Sequence, residues 1–196
     1  MFLAEGYTAA TVDQVAHAAG VAKRTIYNLY ADKAALFRAT ILRSIDTADA
    51  FTSSLVDDVR NVVDPVAELP HIGARLAEAV LTRLVLPLRR LLVMESRSFP
   101  DLAAEYRDRA PDAVLRALAE LFANLSRTGH LSTGDPALAA EHFAFLVIGA
   151  DLDRGMFTSQ QFEADRTAAR SAAGVAAFLR AYTPQDRARR IGWTAR

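Results

Sequence analysis

The sequence predicts an all-α fold: a small N-terminal helix-turn-helix module of three helices, then a larger helical bundle, about nine helices in all. Three observations carry this. Apolar residues recur at three- and four-residue spacing along nearly the whole chain, and no stretch shows the alternation of a half-buried strand. Proline and glycine fall at the ends of these periodic runs. Hydrophobic residues make up 52% of 196, enough to build an extensive core.

Phe2 to Glu5 reads as the end of a first helix, closed by Gly6-Tyr7. Thr11 then has the chemistry of an N-cap, with Gln14 three residues on to complete a capping box. Val12, Val15, Ala16 and Ala19 follow at helical spacing, and Gly20 suits the left-handed residue beyond a helix end. Val21 is expected to re-enter the core before a second helix from Ala22 to Tyr30. Two short helices joined through a glycine turn form a helix-turn-helix, whose second helix normally lies in the DNA major groove.

Asp32 caps a longer helix with Leu36, Phe37, Ile41, Leu42 and Ile45 on one face, fading near Arg60. Asp64-Pro65 and Pro70 break the chain before a helix from Ile72 to Leu86, with Leu76, Ala79, Val80 and Leu84 inward. Pro87 fits the first turn of the next helix, which continues through Glu95. Ser98-Phe99-Pro100 marks a boundary, and a short segment reaches Arg109. Pro111 opens a helix to Arg127 with Val114, Leu118, Leu121, Phe122 and Leu125 on one stripe, ended by Gly129. Asp135-Pro136 begins a long apolar helix to about Met156, and Phe162 to Tyr182 forms the last. The polar, basic segment 184–196 is expected to be a flexible tail. The resulting division is a DNA-binding domain over 1–45, a ligand-binding and dimerisation domain over 46–183, and that tail.

Composition excludes several classes. With 23 basic and 23 acidic side chains the chain does not suit non-specific coating of nucleic acid. The first 45 residues carry five basic and three acidic groups, so the case for DNA rests on motif geometry. No cysteine is present, which removes disulfides and thiolate metal sites. His17, His71, His130 and His142 show no ligand spacing, and no metal or cofactor is expected. There is no phosphate loop, nucleophile elbow or paired catalytic carboxylate; Asp151 and Asp153 face different directions on their helix. No signal-peptide core or membrane-length apolar run is seen, and a cytoplasmic location is the expectation.

The candidate DNA-binding set is Thr11, Val12, Ala22, Lys23, Arg24, Thr25, Tyr27, Asn28, Leu29 and Lys33. Arg24 can pair with guanine and Asn28 with adenine through two hydrogen bonds each. Lys23 and Lys33 suit phosphates, and Tyr27 offers a hydroxyl and an apolar ring. Val12 and Leu29 fit either a DNA contact or the core.

In the body, Leu84, Leu88, Met94, Glu95, Phe99, Tyr106, Phe122 and Phe143 are candidates for an effector pocket: aromatics and methionine with one or two polar anchors. The same residues would equally make a packed core. Phe145, Gly149, Ala169, Ala172, Ala173, Ala176 and Leu179 are candidates for a dimer interface, because small residues let helices approach closely. The alternative is close packing within one chain.

This organisation resembles the TetR family of bacterial transcriptional repressors. The likeness is carried by Gly6-Tyr7, Thr11, Val15-Ala16, Ala19-Gly20-Val21, Lys23, Thr25-Ile26-Tyr27, Tyr30 and Lys33. The segments PLRRLLVMESRSFPDLAAEY and DPALAAEHFAFLVIG are similar to the AefR-type ligand-binding domain, extending the likeness over about residues 1–182. The resemblance implies a homodimer on a palindromic operator in double-stranded DNA, a small and largely apolar effector of unidentified structure, and no enzymatic activity. The chain departs from the family pattern at Ala22, where serine is usual, at Arg24, often glycine, and at Leu29, usually histidine or tyrosine. Its first helix is also shorter, which predicts an earlier start than Met1. Two other classes remain: a helical architectural DNA-binding protein without a ligand, and an all-α enzyme with an incidental helix-turn-helix.

Overall fold

A computed structural model describes residues 1–60, 64–158 and 162–184. Every element is helical, and there is no strand among the described residues. The elements are α1 (Phe2–Ala9), α2 (Val12–Ala18), α3 (Lys23–Leu29), α4 (Lys33–Arg60), α5 (Pro65–Val80), α6 (Val85–Glu95), α7 (Pro100–Arg109), α8 (Pro111–Arg127), α9 (Pro136–Ala144), a π-helical segment (Phe145–Gly149), α10 (Ala150–Phe157) and α11 (Ala164–Tyr182). The α9, π and α10 pieces follow one another without a break, so the long apolar helix carries a wide turn at its centre. Of the predicted tail only Pro184 belongs to the described residues.

Local chemistry sets the boundaries. Gly6, at φ 80° and ψ 176°, divides α1 after Glu5. At α2 the capping box forms: the Gln14 amide donates to Thr11 Oγ1 at 3.2 Å, and the Thr11 amide donates to Gln14 Oε1 at 2.8 Å. The helix ends in a Schellman turn. Gly20 sits at φ 67°, its amide bonds to the His17 carbonyl at 3.1 Å, and the Val21 amide reaches the Ala16 carbonyl at 3.0 Å. Asp32 caps α4 by accepting the Ala35 amide at 2.8 Å.

Several sequence expectations need correction. Val21 does not re-enter the core and is 41% exposed; the Schellman turn spends its amide on Ala16 while the side chain stays outside. Leu42 is also exposed, because it lies off the strip that α4 buries, Leu36, Phe37, Ile41 and Ile45 continued by Ala48, Thr52, Leu55 and Val59. Pro70 does not break the chain: α5 starts at Pro65 and runs through it to Val80, stopping short of Leu86. Pro70 lies near the helix start on the exposed side, where a missing amide costs one hydrogen bond, while Leu69, Ile72, Leu76 and Ala77 anchor the opposite face.

Two clusters form the core. One gathers Phe2, Val12, Ala16, Ile26, Phe37, Ile41 and Ile45 with Leu88, Leu91, Phe99, Leu102 and Tyr106, so α6 and α7 close the underside of the N-terminal helices. The other joins α5, α8, α9, the π segment and α11 around Phe122, Phe143 and Phe178. The long α4 passes through both. Its 28 residues span ~42 Å.

Candidate DNA-reading face and effector cavity

The N-terminal module presents α3 outward. Ile26 is its buried contact; Lys23, Arg24, Thr25, Tyr27 and Asn28 are exposed, and Leu29 is 72% exposed. The two open assignments separate: Val12 lies in the core and Leu29 on the free face. Thr11 and Ala22, the N-cap residues of α2 and α3, are exposed at adjoining helix starts. Lys23 is held by Asp13 at 2.8 Å, which raises its pKa through that hydrogen bond and keeps the ammonium charged. Lys33 is turned inward. Its ammonium donates to the Thr8 carbonyl at 3.1 Å and lies 4.7 Å over the Tyr7 ring, so it braces α1 against α4.

An aromatic hub carries this head on the body. Phe37 meets Phe2 at 5.1 Å, Tyr7 at 5.0 Å and Phe99 at 4.7 Å between ring centroids. The Tyr7 amide donates to Glu95 at 3.3 Å. Phe99 and Glu95, expected beside an effector, instead belong to the joint between head and body. Arg38 of α4 adds an ion pair to Asp101 of α7.

In the body a cavity of about 100 Å3 lies between α4, α5, α6, α7, α8, the end of α9, the π segment and α10. Ala48, Thr52 and Leu55 of α4 form one wall; Leu76, Val80, Val114, Ile148 and Leu152 contribute apolar surface. Arg89 and Tyr106 are its polar end. Burial pushes the Tyr106 hydroxyl above its ordinary pKa, partly offset by the positive charge of the neighbouring Arg89 guanidinium.

Among the eight sequence candidates only Tyr106 lines this cavity. Phe122 and Phe143 are wholly buried, 5.6 Å apart in the C-terminal core. Leu88 fills the N-terminal cluster, Leu84 is half-buried at the start of α6, and Met94 is 66% exposed. The polar residues missed, Thr52 and Arg89, are one of several hydroxyl side chains on α4 and one of many arginines. Nothing in one-dimensional spacing separates them from solvated neighbours.

Beside the cavity, Arg109 at the end of α7 reaches Asp46 at 2.8 Å and Asp49 at 2.9 Å on α4, and Glu105 at 3.2 Å on its own helix. The Asp49 and Asp46 carboxylates raise its pKa and keep it cationic throughout the accessible range.

Phe145, at the edge of the cavity, is 64% exposed, and Ala169, Ala172 and Ala173 of α11 are exposed as well. Gly149 and Ala176 are half-buried, and Leu179 packs inside its own core. Among the described residues no group of three or more His, Cys, Asp or Glu gathers to hold a metal, and no helix is long and apolar enough to cross a membrane.

Comparison with known proteins agrees with this arrangement. The family described as bacterial regulatory proteins, tetR family, matches residues 1–40, and the AefR-like transcriptional repressor C-terminal domain matches residues 67–184. No curated protein sequence matches the chain. A structure from Mesorhizobium loti, described as a TetR-family transcriptional regulator, is 26% identical, with 93% of this chain and 91% of that one covered and a TM-score of 0.80. The flavonoid-responsive regulator FrrA is 26% identical over 94% of this chain and 92% of its own, at a TM-score of 0.61. AibR, solved with isovaleryl coenzyme A and operator DNA, shares the fold at 17% identity and a TM-score of 0.59, covering 86% and 88%. The chain therefore belongs to the TetR family, with an AefR-like C-terminal domain, and is a ligand-responsive DNA-binding transcriptional regulator.

Proposed function

We propose that the chain works as a homodimeric repressor on a palindromic operator and is released when a small, largely apolar effector enters the cavity beside α4. The observation that carries this reading is the double role of α4. Its first half anchors the DNA-reading head through Leu36, Phe37 and Ile41, and its second half supplies Ala48, Thr52 and Leu55 to the cavity wall. A ligand that shifts the second half tilts the first. Over a ~42 Å rod a few degrees of tilt move the head by ångströms. Recognition helices in a two-fold dimer must match half-sites about 34–36 Å apart. The effector needs only to bind the tilted state better: a tenfold loss of operator affinity corresponds to about 1.4 kcal/mol of coupling.

Arg24, Asn28, Tyr27 and Leu29, with Thr25 and Lys23, are the side chains this reading places on DNA; Thr11 and Ala22 adjoin the phosphates at helix starts. Two copies would meet through the exposed Phe145 and the alanines of α11. FrrA, whose name says that it responds to flavonoids, supports an effector-controlled mode. The reading assigns no reaction and no cofactor to the chain.

Gel shifts with DNA from the chain's own promoter region, against random DNA, test the proposal. Wild type should prefer the promoter fragment, and Arg24→Ala and Asn28→Ala should lose that preference. Equal binding of all three proteins to both DNAs would sink it.

A further inference from the structure

The polar end of the cavity has a pronounced imbalance of charge. Arg109 nearby is met by three carboxylates. Arg89, on the cavity wall, has no carboxylate partner among the described residues, and no acidic side chain lines the cavity. Its neighbour there is the Tyr106 hydroxyl, itself buried. A guanidinium presents a planar fork of donors that matches a carboxylate through two parallel hydrogen bonds, and a protonated phenol adds a third donor. The remaining wall is aliphatic: Leu55, Leu76, Val80, Val114, Ile148 and Leu152. An apolar void of about 150 Å3 takes benzene, so a cavity of about 100 Å3 suits an open chain of a few carbons, smaller than a six-membered ring and far from a drug-sized molecule.

We propose that the effector is a small monocarboxylic acid, its carboxylate paired with Arg89 and Tyr106 and its apolar tail pointing toward Leu76 and Ile148. This rests on the cavity being the effector site. The acid group gives the site its selectivity. A neutral molecule of the same shape fills the apolar wall but leaves the guanidinium without its counter-charge.

The test uses the protein with two pairs of probes matched to the cavity: butanoate against butanamide, and 2-methylpropanoate against 2-methylpropanamide. Binding is followed by calorimetry and by the rise in thermal midpoint. The acids should bind about tenfold or more tightly than their amides. Arg89→Met, which retains an apolar stem, should erase that preference while the amide affinity stays. Arg89→Lys keeps the charge without the fork and should restore part of it, and Tyr106→Phe should weaken the acids selectively. Midpoints of the ligand-free variants separate a lost site from a lost fold. Equal affinity for acid and amide, failure of both acids to bind, or an Arg89→Met protein that still prefers acids would each overturn the proposal. An amide that binds and releases promoter DNA would leave the effector cavity standing and refute the acid alone; loss of promoter preference without any ligand would refute the regulator reading instead.

Discussion

Gly174 of α11 lies directly against the main chain of Leu146 in the π segment. A Cβ placed on Gly174 would run into the Leu146 carbonyl and stand 3.0 Å from the Val147 Cα. The glycine is thus what lets the last helix touch the backbone of the long apolar helix. The same junction holds Gly73 of α5, where an added Cβ would meet the Val175 side chain at 2.6 Å. Small residues in this region therefore serve packing inside one chain as well as any contact with a second.

Gly174→Ala should lower stability by about 1–3 kcal/mol, the range for overpacking a core. Helix propensity alone predicts the opposite sign, about 1 kcal/mol of gain. Gly149→Ala is the comparison: its nearest obstacle is the Phe145 side chain at 3.2 Å rather than main chain, so its midpoint should fall less than that of Gly174→Ala. Thermal unfolding of both proteins decides; an unchanged midpoint for Gly174→Ala would contradict the close approach.

On the reading face, Arg24→Ala should cost about 1–3 kcal/mol of operator discrimination, and Asn28→Ala a similar amount. Asp13→Asn should act differently. It frees Lys23 from its 2.8 Å ion pair, so affinity for promoter and random DNA should rise together, with a steeper salt dependence. Anisotropy titrations at two salt concentrations distinguish these patterns, and a sequence-selective effect of Asp13→Asn would count against a phosphate role for Lys23.

Filling the cavity should uncouple effector from DNA. Ala79→Leu adds three heavy atoms at a half-buried wall position. We expect unchanged or improved thermal stability, normal promoter binding and loss of effector binding. If the variant still responds to an effector that releases wild type, the effector binds elsewhere.

The α4–α7 contact should transmit the signal. Arg109→Ala removes its pairs to Asp46 and Asp49 beside the cavity. These groups are partly exposed, so little stability rides on them. The expected phenotype is effector binding within about twofold of wild type, with several-fold more effector needed to release promoter DNA. Parallel loss of binding and release would place Arg109 in the effector site instead.

Substituting Ala172→Glu puts a charge on the exposed face of α11, with no contact in its own core. Size-exclusion chromatography with light scattering should show a shift from dimer to monomer, and promoter affinity should fall with it. A dimer unaffected by this charge would move the interface off α11.

The sequence by itself determined the head. Thr11, Gln14, Gly20 and Asp32 act on neighbours within a few residues, so capping boxes and Schellman turns were legible without a fold. The helical periods around Phe37 and Leu118 were legible for the same reason: a repeat of 3.6 residues is a one-dimensional signal. Tertiary structure alone decided the site in the body. Phe99 and Phe122 have the composition of pocket residues, but one locks the head to α7 and the other fills the core, since apolar chemistry is the same in a wall and in a plug. Arg89 differs from Arg109 only by what surrounds it: two carboxylates from the distant α4 and one from its own helix converge on Arg109, and among the described residues none meets Arg89. Local hydrogen bonding wrote the DNA-reading motif into contiguous residues; the cavity exists only where the helices from α4 to α10 and the π turn between α9 and α10 fail to fill the space between them.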